Sequence, residues 1–105
     1  MNTVEPEDGV FCVEIESDDG WRARMRLDEE SVLRLAVALC DVCVDKKPRK
    51  LDKSIEIGFE KNLVSISAGL ETVLLCPGCA AGLASAIVRA CDTRERATAT
   101  CHLLN

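Results

Sequence analysis

Four cysteines carry the clearest chemistry in this sequence: Cys40 and Cys43 form one C-x2-C pair, and Cys76 and Cys79 form another after 32 intervening residues. A C-x2-C turn can aim two sulfurs at one centre about 2.3 Å from each, which is half of a tetrahedral zinc shell. Two pairs close the shell. With all four positions taken by thiolates, none remains for water or substrate, so the expectation is one structural Zn2+ per chain rather than a catalytic metal. Buried free thiols are the plainer reading of any single cysteine, but two identically spaced pairs at separate turns fit that reading poorly.

The elements that must position these pairs follow from the hydrophobic pattern. Phe11, Val13 and Ile15 alternate with Cys12, Glu14 and Glu16, a strand with one apolar face. Ser17-Asp18-Asp19-Gly20 reads as a turn. Trp21, Ala23, Met25 and Leu27 then alternate with Arg22, Arg24 and Arg26, completing a hairpin that sets arginines across from Glu14 and Glu16. Asp28 suits an N-cap, and Glu29 and Glu30 suit the first turn of a helix. Val32, Leu35, Ala36 and Leu39 give that helix its stripe, and the spacing predicts it over 28–39. The first cysteine pair then falls in a turn just beyond it. Ile55, Ile57 and Phe59 mark a third strand, Lys61-Asn62 a tight turn, and Val64, Ile66 and Ala68 a fourth strand. Thr72 to Leu75 leads into the second pair, where an alanine-rich second helix begins. Gly82 within it costs about 1 kcal/mol against alanine, which points to close packing. The sequence is read as holding no internal repeat beyond the two cysteine pairs.

The resulting order is a cysteine pair after a helix, then a hairpin or meander, then a cysteine pair at a helix start. From 39 to 91 it resembles the treble-clef class of four-cysteine zinc fingers, with a longer insert. The resemblance implies an α+β fold in which a ββα unit over 10–39 feeds a zinc module over 40–91. Residues 92–105 form a tail or edge strand, and residues 1–9 a flexible acidic arm. Treble-clef modules bind proteins, nucleic acids and components of the ubiquitin system, so the class by itself supplies no single function.

Charge and cysteine usage bound the function further. The net charge is −5, and residues 1–20 hold seven acids and no base. No 18-residue apolar run and no basic-then-apolar leader is present, so a cytoplasmic protein without a membrane span is expected. In that reducing compartment seven cysteines favour metal over disulfides. An acidic chain with three aromatic residues is poorly suited to broad nucleic-acid binding. The basic run Lys46, Lys47, Arg49, Lys50 and Lys53 is nevertheless the place where an acidic partner or a phosphate backbone would touch. Leu33 and Val37 widen the apolar stripe of the first helix and offer a protein interface, with a second copy of this chain as one form of partner.

Other constellations are weaker. Cys12, Cys91, Cys101 and His102 could form a second metal site, but nothing beyond the adjacency of Cys101 and His102 promotes it. Strand, then Cys76-Pro77-Gly78-Cys79, then helix resembles a thioredoxin-type redox site, yet no proline occurs in the 26 residues after Cys79. No catalytic set is visible. The reading is a small zinc-binding protein acting in protein recognition as an adaptor, regulator or inhibitor, and not an enzyme. A nucleic-acid-binding regulator and a thiol oxidoreductase are the alternatives.

Overall fold

The computed structural model describes residues 2–17 and 20–100. It is an α+β fold of two antiparallel sheets and two helices. In chain order the elements are β1 (Asn2–Glu7), β2 (Val10–Glu16), β3 (Arg22–Asp28), α1 (Glu29–Asp45), β4 (Arg49–Lys50), β5 (Ile55–Glu60), β6 (Leu63–Ala68), β7 (Glu71–Leu75), α2 (Pro77–Thr93) and β8 (Ala97–Ala99). The sheets run β3-β2-β1-β8 and β4-β5-β6-β7. The core between sheets and helices is aliphatic, with Val4, Leu35, Leu39, Ile57, Leu83 and Ile87 all without solvent exposure.

The first hairpin forms as expected, with Val13 opposite Met25 and Ile15 opposite Ala23. Its outer face carries ion pairs from Arg24 to Glu14 at 2.7 Å and from Arg22 to Glu16 at 3.8 Å. Trp21 departs from the expected alternation: it precedes β3 and is largely exposed. The turn at Asp18-Asp19 lies outside the described residues, while Gly20 next to it takes φ +90°.

Three expectations need correction. In place of a loose arm over residues 1–9, Asn2–Glu7 form β1, paired with β2 over Thr3–Glu7 and with β8 over Asn2–Val4. Val4 is fully buried there, and that apolar contact outweighs the acidic composition. Pro6 lies beyond the reach of β8, so on that side its missing N–H costs no ladder bond. Secondly, α1 does not stop at Leu39. Val42 extends the buried stripe by another turn, and the helix closes at Lys46 in a left-handed C-cap, its N–H bonded to the Val42 carbonyl. Cys40 and Cys43 therefore sit in the last turns of α1 and not in a turn after it.

The third correction concerns repetition. Shifting by 48 residues carries N-cap Asp28 onto N-cap Cys76, α1 onto α2 and C-cap Lys46 onto C-cap Arg94. The buried positions Val32, Leu35, Ala36, Ala38, Leu39 and Val42 land on Ala80, Leu83, Ala84, Ala86, Ile87 and Ala90, all buried as well. Shifting β1 and β2 by 53 lays them on β5 and β6. Pair Val4–Val13 becomes Ile57–Ile66, and the positive-φ turn Asp8-Gly9 becomes Lys61-Asn62. Pair Val13–Met25 becomes Ile66–Val73, and Val4–Ala97 becomes Ile57–Arg49. Exchanging the halves thus leaves every strand pairing in register. The chain is two βββαβ repeats in a two-fold relation. Each helix packs on the first strand of the other repeat, α1 on β5 and α2 on β1, and the helices pack on each other.

Candidate functional site: a groove beside the first helix and a cysteine corner

The helices pair antiparallel, because the end of each meets the start of the other. At one corner the Cys43 thiol faces the Pro77 carbonyl, with Sγ 4.0 Å from the oxygen. At the opposite corner Arg94, the C-cap of α2, makes a 2.9 Å ion pair with Glu29, the first residue of α1. This arrangement sets the negative end of each helix dipole against the positive end of the other.

The first corner holds all four cysteines of the C-x2-C pairs. Cys40 and Cys43, three apart on a helix, share one side of α1. Cys40 is exposed and Cys43 half-buried; burial, with the neighbouring Cys40 second, pushes the Cys43 thiol pKa up. Cys76 caps α2, its sulfur accepting the Cys79 N–H at 3.3 Å, and Pro77 fills the first helical position, where no N–H is needed. Among the described residues, no group of three or more His, Cys, Asp or Glu is gathered tightly enough to hold a metal ion. The fold brings the two cysteine pairs to adjoining helix ends; it does not show a closed shell. Of the second constellation, Cys12 is buried in β2 and Cys91 is half-buried in α2, its thiol pKa raised by burial and then by Glu29. Cys101 and His102 lie outside the described residues.

The other sequence candidates meet in one place. Leu33 and Val37 stand on the outward side of α1, 37% and 60% exposed. They line an open groove of about 600 Å3 with Ala38 and Asp41, closed on its far side by Arg49, Lys50 and Leu51 of β4 and the residue after it. Thus the apolar face and part of the basic run, read separately in the sequence, form one surface. Two cations of the run are engaged within the fold: Arg49 pairs with Asp45, and Lys46 lies over the Phe59 ring at 5.5 Å. The Arg49 bond holds the Asp45 carboxyl below the usual carboxylate range. Lys47, Lys50 and Lys53 are exposed.

Comparison of the repeats shows what sequence reasoning missed. In the second repeat Leu33 and Val37 are replaced by Ala81 and Ser85, and Asp41 by Arg89. Arg89 reaches across from α2 and donates to the Thr98 carbonyl of β8 at 2.8 Å. The matching pair in the first repeat is Asp41 and the Lys50 carbonyl, both acceptors, so no equivalent bridge can form there. The apolar surplus and the missing bridge fall in the same groove. Only the repeat register makes that visible.

No family model matches the chain, and no curated protein or solved structure matches it. Among the described residues no helix is long and apolar enough to cross a membrane.

Proposed function

We propose that this chain is a protein-recognition module whose α1–β4 groove takes an extended segment of a partner protein bearing apolar and acidic side chains. The observation that carries the reading is the groove itself, where the exposed apolar side chains of Leu33 and Val37 share one lining with Arg34, Arg49 and Lys50, and with the acids Glu30 and Asp41. Strand β4 lies at the end of its sheet, so an added strand would pair with its outer edge. Alternate side chains of such a segment would then point onto the α1 face, and the others toward the lysines beside it. Steering by the 46–53 run makes association salt-sensitive, as expected of an acidic partner. The role is an adaptor or regulator that works by occupancy.

A random-peptide display library selected against the intact protein tests this reading. The enriched peptides are expected to alternate apolar and acidic residues, and their binding to be abolished by Leu33→Glu or Val37→Glu without loss of helicity. Binders indifferent to both substitutions would overturn the proposal. So would a self-association in sedimentation that Leu33→Glu dissolves, since the occupant would then be a second copy. Duplex DNA binding at physiological salt that Lys47→Ala, Lys50→Ala and Lys53→Ala together remove would replace it with the nucleic-acid reading.

A further inference from the structure

The two-fold relation gives every helix corner a counterpart against which it can be read. At the corner where α2 ends and α1 begins stand Val88, Cys91, Arg94, Asp28, Glu29 and Ser31. The Asp28 carboxylate accepts the Ser31 N–H at 2.8 Å, and Glu29 binds Arg94. An oxygen cap and an ion pair hold this corner. The same six positions at the opposite corner are Cys40, Cys43, Lys46, Cys76, Pro77 and Cys79. Pro77 replaces Glu29, so Lys46 has no carboxylate at the equivalent place, and the ion pair cannot form. Asp28, Ser31 and Val88 have each become a cysteine, while Cys91 is matched by Cys43. The cysteine corner thus lacks the ion pair, keeps a cap in which sulfur replaces oxygen, and carries four sulfurs where the other corner carries one.

We propose that the cysteine corner is a binding site for one soft divalent cation of the zinc type, held by Cys40, Cys43, Cys76 and Cys79, and that this metal takes the place of the Glu29–Arg94 clamp. The donor chemistry fits: four thiols stand on adjoining helix ends, two in the last turns of α1 and two in the first turn of α2, with Cys43 against Pro77, and loading must draw the four sulfurs together into one shell. Each thiol gives its proton to solvent as its sulfur–metal bond forms, so loading releases up to about four protons. The complex keeps a net charge of about −2, placed beside the positive end of α2. The metal is a cross-link between repeats and leaves no coordination position for chemistry.

Native mass spectrometry of the intact chain supplied with Zn2+ is expected to show one ion per chain, absent after Cys43→Ser or Cys76→Ser and weakened by Cys40→Val, the residue of the opposite corner. Chelator should lower the melting temperature of the wild type. Because a single cysteine variant can simply misfold, a corner-exchange variant is the second arm: Lys46→Arg, Cys76→Asp, Pro77→Glu and Cys79→Ser rebuild the oxygen cap and ion pair. It is expected to fold without zinc and to melt at the same temperature with and without chelator. A wild type that takes up no zinc, or that melts identically in zinc and chelator, overturns the proposal. So does a two-hydrogen mass loss under mild oxidation that matches the wild-type stability with no metal present. Peptide binding in the α1–β4 groove is a separate readout, and neither result decides the other.

Discussion

Gly82 shows at the scale of one residue how two effects of opposite sign are weighed. In a helix interior alanine is favoured over glycine by about 1 kcal/mol. A Cβ at Gly82, however, would lie 1.8 Å from the Thr100 carbonyl oxygen, a backbone atom that cannot rotate aside. The close packing suspected from the sequence is therefore real, and the clash decides the sign. Gly82→Ala is expected to lower the melting temperature and to strip amide-exchange protection from Ala97–Ala99, since the segment must leave α2; a stabilised protein would show that the approach is not tight. Asp28 supplies a prediction in pH. Its carboxylate accepts the Ser31 N–H, and that bond holds its pKa below the ordinary aspartate value. The stabilisation is therefore present above the unfolded pKa, about 3.9, and is lost as pH falls through the lower folded value. Asp28→Asn keeps a capping acceptor but not the charge. The urea midpoints of wild type and variant are expected to differ at pH 7 and to draw together as pH falls below the unfolded and then the lower folded pKa; a gap that stays constant would remove the charge from the account. The cap was legible because capping is local, and Gly82 because a glycine inside a helix pattern signals a close approach, although the partner Thr100 is a tertiary neighbour that no local pattern names. The cysteine corner was half-legible, since spacing named the four sulfurs while their place on a helix end depended on where α1 stopped.

The elements explain why α1 was read too short and β1 not at all. A C-x2-C pair taken as a turn ends the helix at Leu39, yet Val42 lies three residues further along the same buried stripe, and Pro48 ends the segment only after the left-handed cap at Lys46. Strand β1 offers one fully buried aliphatic side chain among acids, Pro6 and a turn, so its pairing with β2 and β8 is a tertiary fact without a periodic signal. The two helices, by contrast, make equal demands on the core. Leu35 and Leu83 are both unexposed at matching positions, so Leu35→Ala and Leu83→Ala are each expected to cost about 2–5 kcal/mol, and to cost alike. Unequal losses in denaturant unfolding would mean that the repeats do not share one core. The outer faces differ: Leu33, Val37 and Asp41 of α1 are matched by Ala81, Ser85 and Arg89 of α2. Asp41→Arg copies Arg89 and is expected to reach the Lys50 carbonyl, bridge the groove and abolish binding of selected peptides while leaving the melting temperature within a few degrees. Retained binding would place the recognition surface elsewhere.

Across the whole molecule, the repeat stayed hidden because few side chains are shared and the spacing is not constant. In the helices Leu35 and Leu83, Ala36 and Ala84, Ala38 and Ala86, and Cys43 and Cys91 coincide, and in the strands Leu27 and Leu75 and Glu7 and Glu60, but most matched positions keep only their burial. The shift also changes from 53 to 48 across one hairpin connection, so no single period spans the chain. What the halves share is pairing register, and that sharing can be tested by changing the order of the halves. In the first repeat β4 runs on through Leu51 and residues 52–54 into β5. The matching passage leads from Ala99 to Asn2, which are opposite each other in the β8–β1 pair, and partners of that kind stand about 4.5–5.5 Å apart. Joining Asn105 directly to Met1 leaves seven residues for a passage that the first repeat makes with three. A circular permutant opened between Asp52 and Lys53 therefore exchanges the roles of the two repeats without changing a strand pair. Opening there gives up the bonds that Asp52 makes to the Ser54 and Ile55 N–H groups, so a modest fall in stability is expected. The far-ultraviolet spectrum and the cooperative unfolding transition should both persist. A permutant that is unfolded, or that folds only as an intertwined dimer, would show that the present order of the halves is required, and the two-fold relation would then describe the pairing pattern but not the energetics.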